Sequence, residues 1–218
     1  PQVPSLNRVR YPLPDILPLV SIIIPTRDKA ELLSMCLDSL FNKTTYRNFE
    51  VIIVDNGSVE EETHQLFARQ PKPQVRVIRD DTPFNYSRLN NLAAKQSNGE
   101  LICLMNNDIE ILTPDWLDEM VSFALQRDIG CVGAKLWYPD GRLQHGGVIL
   151  GVGGVAGHSH KYLCKGDHGY FGRANLHQSL SAVTAACVVL RRDVWEKVNG
   201  LDEEFSIAFN DVDFCLRV

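Results

Sequence analysis

Apolar positions along this chain alternate between two arrangements: short unbroken runs rich in β-branched residues, and stretches where Leu, Phe, Met or Ala return every third or fourth residue. Unbroken runs of that length read as strands buried on both faces of a parallel sheet, and the periodic stretches as helices that cover those faces. Leu19 to Pro25 is the first run, halted by proline, and Glu31 to Phe41 is the helix after it. Phe49 to Val54 and a helix to about Arg69 make a second unit, and Val75 to Ile78 with a helix from Asn85 to Gln96, ended by Asn98-Gly99, a third. Leu101 to Met105 is the fourth strand, followed by a helix that Thr113-Pro114 opens as N-cap and first turn, and Gly130 to Leu136 is a fifth apolar run. This alternation predicts an α/β fold: a three-layer α/β/α sandwich with a mainly parallel central sheet and right-handed crossovers. After Tyr138 the rhythm changes. Pro139-Asp140-Gly141-Arg142 is a tight turn, and the glycine-rich Gly146 to Gly157 predicts irregular or hairpin structure. A buried run (Ala182 to Leu190), a helix around Asp193 to Val198 and a helical segment from Asp211 to Arg217 complete the chain.

Composition narrows the classes. With 218 residues and 44% apolar content, the chain can bury one sizeable core. A formal charge of −5 without a Lys/Arg cluster excludes a nucleic-acid surface. No apolar segment is long enough to span a bilayer, so any membrane contact is expected to be peripheral or through other parts of a longer chain. The six cysteines stand singly, mostly inside apolar runs and without a C-x-x-C pair, as reduced core residues of a cytoplasmic protein do. Five of the 11 prolines precede residue 19, so residues 1–18 are expected to be a linker or leader to further domains of a longer chain.

Chemistry collects where the expected strands end: Thr26-Arg27-Asp28, Asp55-Asn56-Gly57-Ser58 and Asn106-Asn107-Asp108. Open α/β sheets bind ligands at that edge, and a carboxylate flanked by amide oxygens suits a hard divalent cation carrying a diphosphate. The alternatives are local. Asn106 to Asp108 can form an Asx turn ahead of the next helix, and Asp55 can form one with Gly57. Neither G-x-G-x-x-G nor G-x-x-x-x-G-K-[ST] occurs, which removes the glycine cradles for phosphate. His158-Ser159-His160 reads either as metal ligands or as a polar loop in contact with substrate, and His145 as structural.

Val20-Ser21-Ile22-Ile23-Ile24-Pro25-Thr26, Asp55-Asn56-Gly57-Ser58, the strand ending in Asn-Asn-Asp, Arg191-Arg192-Asp193-Val194-Trp195 with Gly200-Leu201-Asp202-Glu203, and Asn210-Asp211-Val212-Asp213 together resemble a family 2 glycosyltransferase with the GT-A fold. The likeness is to the rhamnosyltransferase-like, polysaccharide-assembly branch and spans about residues 19 to 217. It implies an inverting transfer of a sugar from a nucleotide-diphosphate donor to a hydroxyl of a saccharide or lipid-linked saccharide, in a bacterial cell-envelope context at the inner face of the membrane. It divides residues 19–218 into a nucleotide-binding half, 19–137, and an acceptor-side half, 138–218. By the same resemblance Pro25, Thr26, Arg27, Asp55, Asn85, Asn106 and Asn107 contact the nucleotide, Asp108 holds Mn²⁺ or Mg²⁺, and Asp211 is the general base. The family's metal motif begins and ends in Asp, whereas this chain has Asn106 first, leaving one carboxylate for the ion. On its own, Asp211 also reads as an acid placed by the dipole at a helix start, and Asp213 as the partner of Arg217 one turn on. Asn85, Asn90 and Asn91 are split between nucleotide contact and helix capping. The alternative function is a non-catalytic sugar-nucleotide or glycan-binding module.

Overall fold

The computed structural model describes residues 7–218. The first residues of the expected linker, 1–6, lie outside the described residues. Residues 7–18 form no helix or strand, yet they lie against the domain. Leu13 and Leu17 pack on its core, Tyr11 meets Phe123 edge-on at 5.1 Å, and the buried Tyr46 hydroxyl donates to the Pro18 carbonyl at 2.6 Å.

The expected β-α units are present in order. Strands β1 (Val20–Thr26), β2 (Phe49–Asp55), β3 (Val75–Arg79) and β4 (Leu101–Met105) are each followed by a helix. These are α1 (Ala30–Lys43), α2 (Glu61–Ala68), α3 (Tyr86–Lys95) and α4 (Trp116–Ala124). The fifth apolar run divides. β5 (Cys131–Gly133) stays in the main sheet, and β6 (Leu136–Trp137) leaves it to pair with β7 (Leu143–His145). β8 (Val148–Leu150) and β9 (Ala156–His158) form a second small hairpin in the glycine-rich stretch. β10 (Cys187–Arg191), α5 (Arg192–Lys197) and α6 (Asn210–Arg217) close the chain.

The main sheet has six strands in the order β3-β2-β1-β4-β10-β5. β1 to β4 pair in parallel, while β10 runs antiparallel to both its neighbours, β4 and β5. A strand from the second stretch of sequence therefore lies inside the sheet begun by the first. The reversal matters for function, because it brings the N-terminal end of β10 to the carboxyl end of β4, with Cys187 opposite Met105.

Alternation along the strands divides the core, since successive side chains point to opposite faces. Ile22, Ile24, Val51, Ile53, Cys103 and Val189 face Leu33, Leu37 and Leu40 of α1 and Leu117 and Val121 of α4. Ile23, Ile52, Ile102, Leu104 and Val188 face Leu89 and Ala93 of α3, Trp195 of α5 and Phe214 of α6. Gly99 admits the close approach of β4 to β1: a Cβ there would lie 2.5 Å from the Ser21 nitrogen.

One helix start is corrected. α4 begins at Trp116, with Asp115 as its flanking residue, so Thr113-Pro114 is not its N-cap and first helical position. The Pro114 carbonyl instead accepts the backbone N–H of Thr45, which ties this loop to the end of α1.

Candidate functional site

Thr26 and Asp55 end adjacent strands and are register partners, both buried. The loops they open are clasped together. Asp28 adopts a left-handed backbone (φ 53°), its N–H donates to Ser58 Oγ at 2.8 Å, and its carboxylate accepts the N–H groups of Val59 and Glu60. Those bonds, the Glu60 N–H foremost, hold the Asp28 carboxyl below its ordinary range. Pro25 is buried in β1, and Arg27 projects as an exposed cation just beyond the edge.

Asp55 forms the Asx turn considered above, with Oδ1 accepting the Ser58 N–H at 2.8 Å. Its other oxygen accepts from Arg79 Nη1, also at 2.8 Å. Arg79 ends β3 directly opposite Asp55 and pairs with Asp81 as well. Sequence reasoning missed Arg79, because only the parallel register of β2 and β3 puts it there.

β4 delivers the third loop. Asn107 donates through Nδ2 to Thr26 Oγ1 at 2.9 Å, leaving its amide oxygen available. The Asn106 N–H donates to the Ala186 carbonyl at 2.9 Å, joining this loop to the segment before β10. Asp108 is exposed, and its side chain has no hydrogen-bond or ion-pair partner among the described residues.

Asn85 is the N-cap of α3: its side-chain oxygen accepts the Arg88 N–H at 3.0 Å, and its amide donates to the Glu203 carbonyl. Asn91 is buried and bound on both sides, to Leu201 and Glu203. Asn90 donates to the Tyr86 carbonyl, and its buried oxygen has no partner among the described residues. Capping and tertiary bonding therefore account for Asn85 and Asn91.

Asp211 stands in the first turn of α6, half-buried. One oxygen accepts the N–H of Val212 at 2.9 Å, the other that of Ala185 at 3.2 Å. A chain of direct contacts thus runs along one sheet edge, from Asp55 and Thr26 through Asn107 and Asn106 to residues 185–186 and Asp211. Asp211 opens on a cavity of ≈ 250 Å³ whose wall includes His158, Thr184 and Asn210. A larger cavity of ≈ 540 Å³, lined by Leu150, His160, Tyr170, Arg173 and Leu180, shares Val148 with it. Asp213 is the expected helix-surface acid, paired with Arg217 at 2.7 Å.

The histidines do not gather as ligands. His158 Nδ1 lies 2.8 Å from His145 Nδ1, and His160 Nδ1 lies 2.6 Å from Ser159 Oγ. No group of three or more His, Cys, Asp or Glu among the described residues could hold a metal by itself. The oxygen donors at the β4 end still fit a hard cation, provided that phosphate oxygens and water complete its shell, because Asp108 brings an uncommitted carboxylate and Asn107 an uncommitted amide oxygen.

The family model described as glycosyl transferase family 2 matches residues 21–198. The chain belongs to the glycosyltransferase 2 family. The matched stretch includes all three strand-end loops and stops short of Asp211. Over 216 residues the chain is 44% identical to the O-antigen biosynthesis protein RfbC of Myxococcus xanthus, covering 99% of this chain and 17% of that protein. It is 52% identical over 220 residues to the protein y4gI of Sinorhizobium fredii, covering 99% of this chain and 24% of that one. The chain thus spans a quarter or less of the length of these relatives. Among solved structures it is similar to the mannosyltransferase PcManGT from Pyrobaculum calidifontis in complex with GDP-Man and Mn²⁺ (TM-score 0.69, 16% identity, 96% of this chain and 54% of that one). It is also similar to S. aureus TarS 1-349 in complex with UDP-GlcNAc (TM-score 0.60, 18% identity, 91% of this chain and 52% of that one). At such identities these likenesses establish the fold, which is of the GT-A type. No helix among the described residues is long and apolar enough to cross a membrane.

Proposed function

We propose that this family 2 domain transfers a sugar, with inversion, from a nucleotide-diphosphate donor to a hydroxyl of a saccharide or lipid-linked saccharide in polysaccharide or glycoconjugate synthesis. The observation that carries the reading is the continuous edge linking Thr26, Asn107 and Asn106 to Asp211, which brings a nucleotide-side loop and an isolated carboxylate within one span of contacts. Thr26, Arg27, Asp55, Asn106 and Asn107 would line the nucleotide side. Arg27, exposed just beyond the strand end, would supply a cation for the diphosphate, and Pro25 shapes the strand end. Asn85 contributes by fixing the start of α3.

Asp108, with the Asn107 amide oxygen, would hold Mn²⁺ or Mg²⁺ together with the donor diphosphate. When bound, such an ion neutralises charge on the departing nucleoside diphosphate. Asp211 has the remaining task of taking the proton from the acceptor hydroxyl as it attacks the anomeric carbon from the face opposite the leaving group. Its bond to the Ala185 N–H fixes the carboxylate's orientation at the cavity. A cytoplasmic setting, at the inner face of the membrane with peripheral contact, accords with this chemistry, since nucleotide sugars are the donors.

The test is a thermal-shift series with UDP-, dTDP- and GDP-sugars in the presence of Mn²⁺. One donor is expected to raise the melting temperature by mass action, and a flat response to all of them removes the donor assignment. A binding module without turnover is the second reading, favoured by Asn106 standing where the family has a carboxylate. Slow donor hydrolysis by the intact protein distinguishes the two, since a binding module releases no sugar.

A further inference from the structure

His145 and His158 form a hydrogen-bonded relay that ends in the cavity beside Asp211. His145 is buried on β7, and its Nε2 accepts the main-chain N–H of Thr184 at 3.3 Å. A main-chain amide can only donate, so His145 Nε2 carries no proton and the neutral ring carries its proton on Nδ1. That N–H points at His158 Nδ1, 2.8 Å away on β9. His158 Nδ1 must then accept, which leaves the His158 proton on Nε2, the nitrogen on the other side of the ring. The rings meet edge to face, with centroids 5.0 Å apart. The His158 ring lines the cavity together with Asp211 and makes no second hydrogen bond among the described residues. Residues 184–186 are the hub: their N–H groups go to His145 Nε2, Asp211 Oδ2 and Thr184 Oγ1. One backbone segment therefore sets both the donor nitrogen and the acceptor carboxylate.

We propose that His158 binds the acceptor sugar, donating its Nε2–H to a hydroxyl or ring oxygen of the unit whose neighbouring hydroxyl Asp211 deprotonates, and that His145 is the positioning residue that fixes the His158 tautomer. A donor beside an acceptor is the pairing that a saccharide with adjacent hydroxyls requires, and the cavity is smaller than the roughly 300–1,000 Å³ clefts of drug-sized ligands, so it suits a single sugar ring. Protonating His158 would set two N–H groups against each other across the 2.8 Å contact, and protonating His145 would set its Nε2–H against the Thr184 N–H, so the pair stays neutral. Burial acts in the same direction on both, and Lys161 reinforces it at His158, while Asp211 opposes it there. This assignment rests on the acceptor-side reading of Asp211 given above.

Long-range proton–nitrogen spectra of the intact protein labelled at histidine nitrogen test it, with assignments from single His→Gln variants. The expected result is the Nε2–H form of His158 and the Nδ1–H form of His145 across about pH 5 to 8, the interval in which a free histidine titrates. With donor nucleotide and Mn²⁺ present, the probes are the methyl glycosides of rhamnose, mannose, galactose, glucose and N-acetylglucosamine at millimolar concentration. At least one is expected to shift His158 Nε2. The extra stabilisation that this glycoside adds to the protein with nucleotide and Mn²⁺, read as a rise in melting temperature, should vanish in His158→Phe and return in His158→Gln, which keeps an N–H donor, while His145→Leu should let His158 populate both tautomers and titrate. A His158 proton on Nδ1, or a His158 resonance unmoved by every glycoside while nucleotide still stabilises the protein, overturns the proposal. The tautomer readout needs no turnover, so it can fail while the transferase reading stands, and the thermal-shift series can fail while the relay stands.

Discussion

Asp211 and Asp108 are carboxylates of opposite standing, and the difference sets what their substitution should do. Asp211 is held by two main-chain N–H groups, and in Asp211→Asn the side-chain oxygen can still accept one of them. The fold and donor binding should therefore survive. General bases contribute about 10²- to 10⁴-fold, so transfer by the intact protein is expected to fall by at least about 10²-fold while nucleotide-dependent stabilisation is unchanged. A steady-state assay run beside the thermal shift measures both, and full turnover would remove Asp211 from that role. Asp108 has no partner among the described residues, so Asp108→Asn should leave stability in the absence of ligand within about 0.5 kcal/mol of wild type. It should abolish the extra stabilisation that Mn²⁺ adds to a nucleoside diphosphate, read as the difference between melts with and without the ion. Asp55 is a third case: its oxygens hold Ser58 and Arg79, so Asp55→Ala leaves Arg79 with Asp81 and the Ser58 carbonyl and removes the Asx turn that shapes the β2 loop. Weakened nucleotide binding is expected to accompany lost stability in that variant.

Among the elements, the two arginines at the end of β10 explain a motif whose residues were legible but whose purpose was not. Arg191 Nη1 donates to the carbonyls of Ala124, Gln126 and Ile129, at and just beyond the C-terminal end of α4. Arg192 donates to Ala94, Ser97 and Gly99, at and just beyond the end of α3. Each guanidinium satisfies helix-end carbonyls and meets the negative end of a helix dipole. α3 and α4 cover opposite faces of the sheet, so adjacent residues clamp both outer layers to one strand. Arg191→Ala is expected to cost about 2–3 kcal/mol, read as a lower urea midpoint, with Arg191→Lys recovering only part because a lysine lacks the fixed fork. The same scale accounts for the misread start of α4. Thr113-Pro114 has the composition of a cap, but the Pro114 carbonyl is engaged by Thr45 across the loop, a partner no local pattern reveals.

For the molecule as a whole, buried His145 links stability to pH. Burial lowers its pKa from the ordinary 6.5 to about 4, with His158 adding to the effect. The unfolded chain therefore binds a proton that the folded chain refuses. Stability is complete above about pH 6.5 and declines as pH falls toward 4, by on the order of 3 kcal/mol from this group. Chemical denaturation at pH 7.5 and 4.5 should show that loss in wild type and a smaller one in His145→Gln. An equal loss in both would place the acid sensitivity in the carboxylates instead.

Unbroken β-branched runs and helical periodicity were enough to determine four parallel strands, their helices and the layered architecture, because burial on two faces leaves few polar positions in β1, β2 and β4 to blur the signal. They also determined that Thr26, Asp55 and Asn106 to Asp108 lie at strand ends, since a strand must stop where its apolar run stops. What only the tertiary structure decided is which distant groups those ends meet. The antiparallel insertion of β10 brings residues 184–186 to the end of β4, the register of β3 sets Arg79 on Asp55, and the small hairpins set His145 against His158. Those pairings depend on strand order and direction, which arise from packing summed over the whole sheet and leave no periodic trace in the chain.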